Sequence, residues 1–262
     1  MSDHLELHYQ IDGSDDALPL VVLHGLFGSA DNWRSHVKQW QEQRRVIAVD
    51  LRNHGRSPHA QAMDYSSMAE DVIALLDALK IDRCDLLGHS MGGKVAISVA
   101  RLAPQRLASL IVADIAPVTY QHGHESIFAA MRRVEEGRPG SRKEADALMA
   151  EHVDTPAIRM FLATNLIRGE DGTMHWRVGL DEIEKAYADI VAEPAGEGTF
   201  EGPTLVLRGA RSNYVTDDML PQVRKILPQA DIVTLDAGHW LHAETPEAFQ
   251  AAVNEFLSQR PL

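Results

Sequence analysis

The sequence lacks the features that mark disulfide-rich, membrane-spanning or secreted proteins. Only one of its 262 residues is a cysteine, Cys84, so an internal disulfide is impossible and a cluster of thiolate metal ligands is excluded. Since Cys84 lies in an apolar run, we expect it to be a buried structural residue. No apolar run approaches the roughly 20 residues of a membrane span, and the N-terminal MSDHLELHYQ has no signal core. These absences predict a cytoplasmic protein.

Positive charge is also scarce. The chain has 25 Lys and Arg against 38 Asp and Glu, which gives a net charge of -13. An acidic chain is a poor partner for nucleic acid or for an anionic membrane. The composition, 45% hydrophobic and 24% charged, is that of an ordinary globular protein. We therefore expect a small-molecule partner, and the composition leaves the oligomeric state open.

Short apolar runs alternate with amphipathic segments along most of the chain. The runs are LPLVVLHG, RRVIAVD, RCDLLGHS, LASLIVAD, PTLVLRG and ADIVTLD. Short runs that are apolar throughout are typical of strands covered on both faces. Strands that alternate with helices favour a mostly parallel sheet flanked by helices, an α/β fold. The opening LELHYQI alternates apolar and polar residues instead, which predicts an antiparallel edge strand.

The alternation breaks between about residues 118 and 200. Helix-like pieces such as HESIFAAMRRVEEG fill this stretch, and NLIRGEDGTMHWRV resembles a turn between two short arms. We predict a core of residues 1–117 and 201–262 with a small, mainly helical cap, 118–200, inserted into it. Capping-box patterns at Ser67–Glu70 and Ser141–Glu144 predict two helix starts, and Thr245 followed by Pro246 predicts a third.

Ser90 lies in the motif G-x-S-x-G, within the stretch GHSMGG. Chance alone would produce this motif in roughly one chain in ten of this length. The context is more specific, because CDLL before the motif is typical of a buried strand and KVAISVA after it of a helix. A nucleophile elbow requires this strand-turn-helix order. Ser90 is therefore predicted to be a nucleophile at the C-terminal end of a strand.

Five motifs occur in the order expected of the α/β-hydrolase superfamily: HGLFGSADNW, DLRNHGRSPH, GHSMGGK, VADIAPV and AGHWLHAE. More narrowly, the chain resembles the small bacterial esterases of the YbfF type, with DIAPV and RSNYV as the more specific segments. The resemblance covers essentially the whole chain, including the cap. It implies the α/β-hydrolase fold and a serine that acts with a histidine and an acid.

Position selects the general base among thirteen histidines. The order in this fold is serine, acid, histidine, so the base follows the last core strand. His239 lies in the loop AGHWLHAE after that strand, and the resemblance places the base directly after Ala-Gly. His242, three residues further on, is the competitor. A metal site formed by His239, His242 and Glu244 is disfavoured, because their spacing does not match H-E-x-x-H.

The acid is less obvious. Many α/β-hydrolases carry it shortly after the penultimate core strand, where this sequence has Ser212, which cannot be negative at neutral pH. Asp217 and Asp218 follow nearby but resemble first-turn acids of a helix. Asp114 ends the strand that follows the serine's strand, and the resemblance assigns the acid to the same DIAP segment. We predict that Asp114 orients His239.

Two backbone N–H groups are expected to form the oxyanion hole. One belongs to Met91, the residue after the nucleophile, and the other to a residue in the loop HGLFG. We assign the second to Leu26, with Phe27 as the nearest competitor. His24 and Asp50 are predicted to brace their loops rather than to act on substrate.

The predicted activity is the hydrolysis of small to medium acyl esters through an acyl-enzyme, without metal or cofactor. Two alternatives stay open: an acyl-CoA thioesterase, and a cofactor-free C–C hydrolase or perhydrolase on the same fold. A non-catalytic ligand-binding protein is disfavoured, because such a protein does not need all three catalytic residues.

Side chains that could line the acyl pocket are apolar or aromatic: Phe27, Met91, Phe128, Met131, Phe161 and Trp176. At helical spacing such residues are more often core. The cap is also locally basic, at Arg132, Arg133, Arg138, Arg142 and Lys143. A solvated surface is the default interpretation, and a site for a phosphate-bearing donor such as acyl-CoA is the alternative.

Overall fold

The computed structural model describes residues 4–14 and 18–259. The strands are β1 Tyr9–Asp12, β2 Leu20–Leu23, β3 Val46–Val49, β4 Cys84–His89, β5 Leu107–Ala113, β6 Leu166–Arg168, β7 Met174–Trp176, β8 Thr204–Gly209 and β9 Ala230–Leu235. The helices are α1 Arg34–Trp40, α2 Tyr65–Ala78, α3 Met91–Leu102, α4 Glu125–Gly137, α5 Arg142–Met149, α6 Pro156–Ala163, α7 Leu180–Lys185, α8 Tyr187–Val191, α9 Leu220–Ile226, α10 Leu241–Glu244 and α11 Pro246–Ser258.

Seven strands form one sheet in the order β1-β3-β2-β4-β5-β8-β9. β1 is antiparallel to β3, and every other neighbouring pair is parallel. The six parallel strands are the six apolar runs of the sequence, and the edge strand is the alternating segment. The α/β fold predicted from the sequence is therefore confirmed. The C-terminal ends of β4, β5 and β9 lie along one edge of this sheet, so the loops that follow them can meet.

The sheet carries an apolar cluster on each face. In β2, Val21 and Leu23 belong to one cluster, and Leu20 and Val22 belong to the other. Alternate side chains of a strand point to opposite faces, so the two clusters lie on opposite sides. The buried Cys84 belongs to the first cluster, as expected of a structural residue.

Between β5 and β8 the chain forms α4 to α8 and the antiparallel hairpin β6–β7. Its apolar side chains, such as Met131 and Val134, join the first cluster of the core. Lys94 of α3 also donates two hydrogen bonds to the carbonyls of Val191 and Ala192 at the end of α8. The division of the chain at residues 117 and 201 stays a prediction, and its outer limits, 1 and 262, lie outside the described residues.

Two of the three predicted helix starts agree with the structure. Ser141 caps α5 by accepting from the Glu144 N–H, although the Glu144 carboxylate accepts from Gly140 rather than from the cap residue. α11 begins at Pro246. The Ser67–Glu70 box is wrong. α2 begins earlier, because the side chain of Asp64 accepts from the Ser67 N–H and caps the helix.

In the part of the chain that is described, none of the helices has the length and apolar character required to cross a bilayer.

Candidate active site

Ser90 lies in the tight turn between β4 and α3. Its backbone has φ 53° and ψ -121°, a conformation that is strained for a residue with a side chain. Gly88 and Gly92 are required on either side. A Cβ on Gly88 would lie 2.1 Å from the Gly92 carbonyl oxygen, and one on Gly92 would lie 2.3 Å from the His24 carbonyl oxygen. Close backbone packing thus explains both glycines and projects the serine from the sheet edge.

Three residues from separate loops converge at this edge. The Oγ of Ser90 lies 2.9 Å from Nε2 of His239, and Nδ1 of the same imidazole lies 2.7 Å from Oδ2 of Asp114. The Asp114 side chain is fully buried, whereas that of His239 is 18% exposed. A buried carboxylate can only accept, so Nδ1 carries the proton and Nε2 is free to accept from the serine hydroxyl.

Asp114 is held by more than the imidazole. Its Oδ1 accepts from the backbone N–H of Gly209 at 2.9 Å, and its Oδ2 also accepts from the hydroxyl of Ser212. Three donors keep the carboxylate in place and stabilise its charge away from water. Ser212, the residue in the slot that commonly holds the acid, thus donates to the acid that comes from β5.

The other candidate acids lie elsewhere. Asp217 forms an ion pair with Arg208 at 2.7 Å and begins a short 3-10 helix, Asp217–Met219, as expected for a first-turn acid. Neither Asp217 nor Asp218 contacts His239 in the described structure, whereas Asp114 does.

Two aromatic side chains fix the position of His239. The Tyr214 ring stacks on the imidazole with centroids 3.8 Å apart and an angle of 20°. His89 donates its Nε2–H to the backbone carbonyl of His239 at 2.8 Å. Burial lowers the pKa of His89 well below its ordinary value, so this ring stays neutral and donates from a single nitrogen. The loop after β9 is therefore anchored to the residue that precedes the nucleophile.

His242 is buried behind His239 and does not contact Ser90. Burial lowers its pKa to about 3, so it is a neutral imidazole. The Glu244 carboxylate accepts from the Gly238 N–H rather than approaching either histidine. Within residues 4–14 and 18–259, no group of three or more His, Cys, Asp or Glu side chains is arranged to hold a metal ion.

The loop after β2 supplies one candidate donor for an oxyanion. The N–H of Phe27 is already engaged, because it donates to Nε2 of His54 at 3.0 Å. The N–H groups of Leu26 and Met91 make no hydrogen bond to any other described residue. Leu26 therefore keeps a free donor where its competitor does not.

His54 holds this loop from below. Its Nδ1–H donates to the Arg52 carbonyl, which leaves Nε2 as the acceptor for Phe27. Burial lowers the pKa of His54 to about 3, so the ring stays neutral and keeps that acceptor. Asn165 of the cap also donates to the Phe27 carbonyl at 2.8 Å. The loop is thus fixed from the core and from the cap.

His24 and Asp50 brace loops as predicted. His24 donates from Nδ1 to the Gly25 carbonyl and accepts at Nε2 from the Leu51 N–H. Asp50 accepts from the backbone N–H groups of Ala30 and Arg56. Both side chains are buried and neither contacts Ser90.

Two cavities meet at Ser90. The larger, of about 620 Å³, is bordered by Leu26, Ser90 and Met91 and by four tyrosines: Tyr65, Tyr120, Tyr187 and Tyr214. Burial raises the pKa of all four phenols, so they remain neutral. The smaller, of about 50 Å³, is also bordered by Leu26 and Ser90, and continues past His239 to Trp33 and His242.

The predicted pocket residues divide between the cavities and the cap interior. Phe27 and Phe161 line the smaller cavity, and Met91 lines the larger. Phe128, Met131 and Trp176 line neither of these two cavities, so the structure does not support their predicted place in the acyl pocket. Phe128 packs edge-on against Phe27, Met131 is fully buried, and the Trp176 indole N–H donates to the Met131 carbonyl. These side chains form the core of the cap instead.

Cap acids neutralise most of the basic cap surface. Arg132 pairs with Glu135, Asp181 and Glu184. The remaining pairs are Arg133 with Glu151 and Arg138 with Asp171, while Arg142 donates to the carbonyls of Ala163 and Leu166. The positive charges of Arg132, Arg133 and Arg138 are therefore already paired with carboxylates, which weakens the case for a phosphate site there.

Residues 19–246 match the family described as the alpha/beta hydrolase fold. The chain is a member of this family. Among its relatives, the esterase YbfF of Escherichia coli is 37% identical, over 92% of this chain and 93% of that protein. The sn-1-specific diacylglycerol lipase ABHD11 of Mus musculus is 41% identical, over 97% of this chain and 86% of that protein.

A solved structure, that of a marine microorganism esterase, has a TM-score of 0.93 and 39% identity to this α/β-hydrolase. The match covers 96% of this chain and 99% of that one. With esterases and lipases as its relatives over nearly its full length, this α/β-hydrolase is an enzyme of the serine-hydrolase class.

Several supporting residues of this α/β-hydrolase are not evident from the sequence patterns. His54 and His89 lie in the motifs DLRNHGRSPH and GHSMGGK, yet their hydrogen-bond partners are 27 and 150 residues away along the chain. Tyr214 lies in the segment RSNYV, which marked the resemblance but gave no role. The residue type of Ser212 excludes it as the acid but predicts no other role. The sequence offers one indication of these roles: each of the four residues is a polar or aromatic side chain that lies close to the end of a strand.

Proposed function

We propose that the protein is a serine carboxylic-ester hydrolase that acts on small to medium acyl esters through a Ser90–His239–Asp114 triad. The observation that carries this proposal is the continuous chain of hydrogen bonds from the serine hydroxyl through the imidazole to the buried carboxylate. The family and the named relatives support the same reaction class.

Acylation begins when the Ser90 oxygen attacks the ester carbonyl carbon and His239 Nε2 accepts the hydroxyl proton. Asp114 accepts from Nδ1–H throughout, which maintains the tautomer and stabilises the imidazolium. The N–H groups of Leu26 and Met91 donate to the oxyanion of the tetrahedral intermediate. Removal of one such donor typically costs about 2.7–4 kcal/mol of transition-state stabilisation. The imidazolium then protonates the leaving alcohol, and the acyl-enzyme remains.

Deacylation repeats these steps with water in place of the serine. Water attacks the acyl carbonyl carbon as His239 Nε2 takes its proton, and the proton returns to the Ser90 oxygen as the carboxylic acid departs. This chemistry requires neither a metal nor a cofactor from the protein. A cytoplasmic location stays a prediction of the sequence.

The larger cavity supports an acyl ester of moderate size as substrate. Its volume of about 620 Å³ falls within the range of roughly 300–1,000 Å³ that is usual for small-molecule sites. Its border combines neutral phenols and apolar side chains, which suit an acyl chain, with the polar side chains of Lys94, His122 and His124. A thioester fits the same chemistry, but the pairing of the cap arginines gives no particular support for a coenzyme A leaving group.

A second candidate is the cleavage of one acyl ester in a glycerolipid. The name of the mouse relative, a diacylglycerol lipase, favours it, and so does the mainly apolar border of the larger cavity. Chain-length dependence separates the two substrates: an esterase loses turnover as the acyl chain lengthens, whereas a lipase keeps or gains it.

Ser90→Ala tests the proposed function directly. Hydrolysis of a nitrophenyl ester series should fall by about 10⁴-fold or more, because the nucleophile is lost while the oxyanion donors remain. Thermal unfolding should stay close to that of the unsubstituted protein, since Ser90 donates no side-chain hydrogen bond except to His239. Equal turnover by the two proteins would exclude the mechanism.

A further inference from the structure

Among the described residues, three border both the larger and the smaller cavity: Leu26, Ser90 and His124. Ser90 is the proposed nucleophile and Leu26 a proposed oxyanion donor, but the mechanism does not use His124. This histidine comes from the cap, directly before α4. Because Ser90 attacks the carbonyl carbon of the ester, the ester group must lie at the junction of the two cavities. A cap imidazole therefore borders the space that the ester occupies.

A tyrosine fixes the tautomer of this imidazole. Nδ1 of His124 is hydrogen-bonded to the hydroxyl group of Tyr187, whose oxygen also accepts from the Gly123 N–H at 3.2 Å. Within the described residues Nδ1 is the acceptor that this phenol meets, so the hydroxyl donates to Nδ1 and the imidazole proton lies on Nε2. Burial lowers the pKa of His124, and the nearby His239 lowers it further, so the ring is neutral at pH 7.

The Nε2–H of His124 is an accessible donor. It makes no hydrogen bond to any other residue that the structure describes. Unlike Nε1 of Trp33, it is not a fully buried atom that lacks a partner, and the His124 side chain is half-buried. The space that this side chain borders is the junction of the two cavities, so a bound substrate can supply the missing acceptor.

A second polar atom on the wall of the smaller cavity complements this donor. His89 is neutral and donates from Nε2 to the His239 carbonyl, so its Nδ1 is a bare acceptor. A Cβ on Gly25, which borders the same cavity, would lie 3.1 Å from this Nδ1 and 3.2 Å from the Cβ of Ser90. Nδ1 therefore lies close to the nucleophile, and it makes no hydrogen bond to another described residue. One accessible donor and one acceptor on the same cavity match a hydroxyl group, which can accept and donate.

The smaller cavity suits the alcohol part of an ester. It is bordered by His239, which protonates the leaving oxygen, whereas Met91, a proposed oxyanion donor, borders the larger cavity. A water-sized group needs roughly 10–15 Å³ of such space, so about 50 Å³ holds about three to five heavy atoms. An alcohol as small as a glycol or glycerol fits this space, and a long-chain alcohol does not.

We propose that the smaller cavity binds the alcohol part of the ester and that His124 is a specificity residue there, whose Nε2–H donates to a hydroxyl group of that alcohol. This inference rests on the proposed function and names its substrate class, acyl esters of short alcohols that carry a further hydroxyl group. The same hydroxyl donates to Nδ1 of His89. Tyr187 is a positioning residue, because it acts through His124.

The contact with His124 lasts only through acylation. The bond between the acyl carbon and the alcohol oxygen breaks, that oxygen takes the proton from His239 Nε2, and the alcohol departs with its hydroxyl group. Water then attacks an acyl-enzyme that no longer contains the alcohol. Loss of the His124 donor should therefore change kcat/KM for the matching ester and leave deacylation unchanged.

The test compares 2-hydroxyethyl butyrate with propyl butyrate, in which a methyl group replaces the hydroxyl group. His124→Phe removes the donor and retains an aromatic ring. The ratio of kcat/KM for the hydroxyethyl ester to that for the propyl ester should fall about three- to tenfold, the loss of roughly one hydrogen bond. His124→Gln can place an amide N–H near the position of Nε2 and should restore most of the ratio. His152→Phe, the same substitution at an exposed position of the cap, is the matched control and should keep the ratio of the unsubstituted protein.

Two further measurements distinguish substrate binding from a merely structural effect. The deacylation rate of the butyryl-enzyme formed from nitrophenyl butyrate should be the same in His124→Phe and in the unsubstituted protein. The kcat/KM ratio of nitrophenyl methoxyacetate to nitrophenyl butyrate should also be the same, because this pair places the additional oxygen in the acyl chain instead of the alcohol.

The possible failures can be told apart. If His124→Phe lowers kcat/KM for both butyrates equally, or changes the methoxyacetate ratio instead, the alcohol site is wrong although the esterase remains. If the unsubstituted protein forms no acyl-enzyme on Ser90, by mass spectrometry of acid-quenched reactions, the proposed function itself fails. Should His124→Phe not fold, the unsubstituted protein decides. A site that binds a hydroxyl group disfavours the analogue that lacks it, so a preference no larger than the ratio of the two alkaline hydrolysis rates would overturn the proposal.

Discussion

The sheet edge and the cap surface are both rich in charged and polar side chains, but they use these side chains differently. At the sheet edge, Asp114 is fully buried and accepts from three donors, one at the end of β8, one in the loop after β8 and one in the loop after β9. On the cap, Arg132 forms three ion pairs while its side chain is 31% exposed. Buried polar groups with fixed partners define one geometry, whereas exposed ion pairs contribute little to stability. The same residue types therefore have large effects in one region and small effects in the other.

Removal of the buried acid should give the largest effect. Asp114→Asn keeps the size of the side chain but can donate to His239, which favours the wrong tautomer, so the rate of ester hydrolysis should fall by about 10⁴-fold. Asp217→Asn and Asp218→Asn are the matched controls, because they lie near the loop without contacting His239. A larger loss in either control than in Asp114→Asn would contradict the assignment of the acid.

Acid should destabilise the buried region by several kcal/mol. Burial lowers the pKa of His24, His54, His89 and His242, to about 3 for His54 and His242. Below pH 6.5 these histidines are protonated in the unfolded chain but stay neutral in the folded chain. The free energy of unfolding therefore falls as the pH falls from 6.5 toward 3. Each histidine contributes up to about 1.4 kcal/mol per pH unit.

Urea unfolding between pH 7 and pH 4 measures this loss. His242→Phe should reduce the slope of stability against pH, and substitution of the exposed His152 by Gln should leave it unchanged. Equal slopes for His242→Phe and the unsubstituted protein would mean that His242 is not buried as a neutral ring.

Lys94 lies where the core meets the cap and should also make the free energy of unfolding fall as the pH falls. Its effect should be smaller than that of the four histidines together. Burial lowers its pKa to about 7 from an ordinary value of 10.5, and its partners are carbonyls of the cap. The cost of burying the charge is full below pH 7 and is lost as pH rises toward 10.5. Relative to Lys94→Met, the unsubstituted protein should gain up to about 1.4 kcal/mol of stability per pH unit between pH 7.5 and 9.5.

The comparison is made by urea unfolding of the two proteins at pH 7.5, 8.5 and 9.5. A constant difference in unfolding free energy over that range would show that Lys94 stays charged in the folded protein.

The smallest effect should come from the cap surface. Arg132→Gln removes an exposed ion-pair network, so the free energy of unfolding should change by less than about 1 kcal/mol. The Michaelis constant for an acyl-CoA should also stay the same, because the guanidinium already pairs with Glu135, Asp181 and Glu184. A clear rise in that constant, with nitrophenyl esters unaffected, would instead favour a phosphate site on the cap.

The contrast between the sheet edge and the cap also explains how far the sequence predicts the structure. Ser90 and Asp114 directly follow apolar runs and His239 lies in the loop after the last run, so parallel strands bring the three positions to one edge. The choice of Asp114 and His239 also relied on the family resemblance. The structure brings the three side chains within hydrogen-bond distance, and their catalytic roles remain the proposal made above. The antiparallel edge strand also follows from the sequence pattern, whereas the order of the strands in the sheet comes from the structure alone.

Other features depended on contacts that leave no local pattern. Met131 and Trp176 were predicted at a pocket, but helical spacing does not reveal which side of a cap helix faces a cavity. The start of α2 was misplaced because Asp64 and Ser67 are both good capping residues three positions apart. The partner of His89 lies 150 residues away and could be identified only from the folded chain.

The apolar cluster shared by the cap and one face of the sheet limits how this enzyme can be redesigned. Met131 and Val134 of the cap belong to the same buried cluster as Leu86 of β4 and Val95 of α3. A cap transplanted from another hydrolase would leave gaps or clashes against those side chains unless its inner residues were matched to them. We therefore expect a chimera to fold well only if the cap is exchanged together with the residues of α2 and α3 that pack against it.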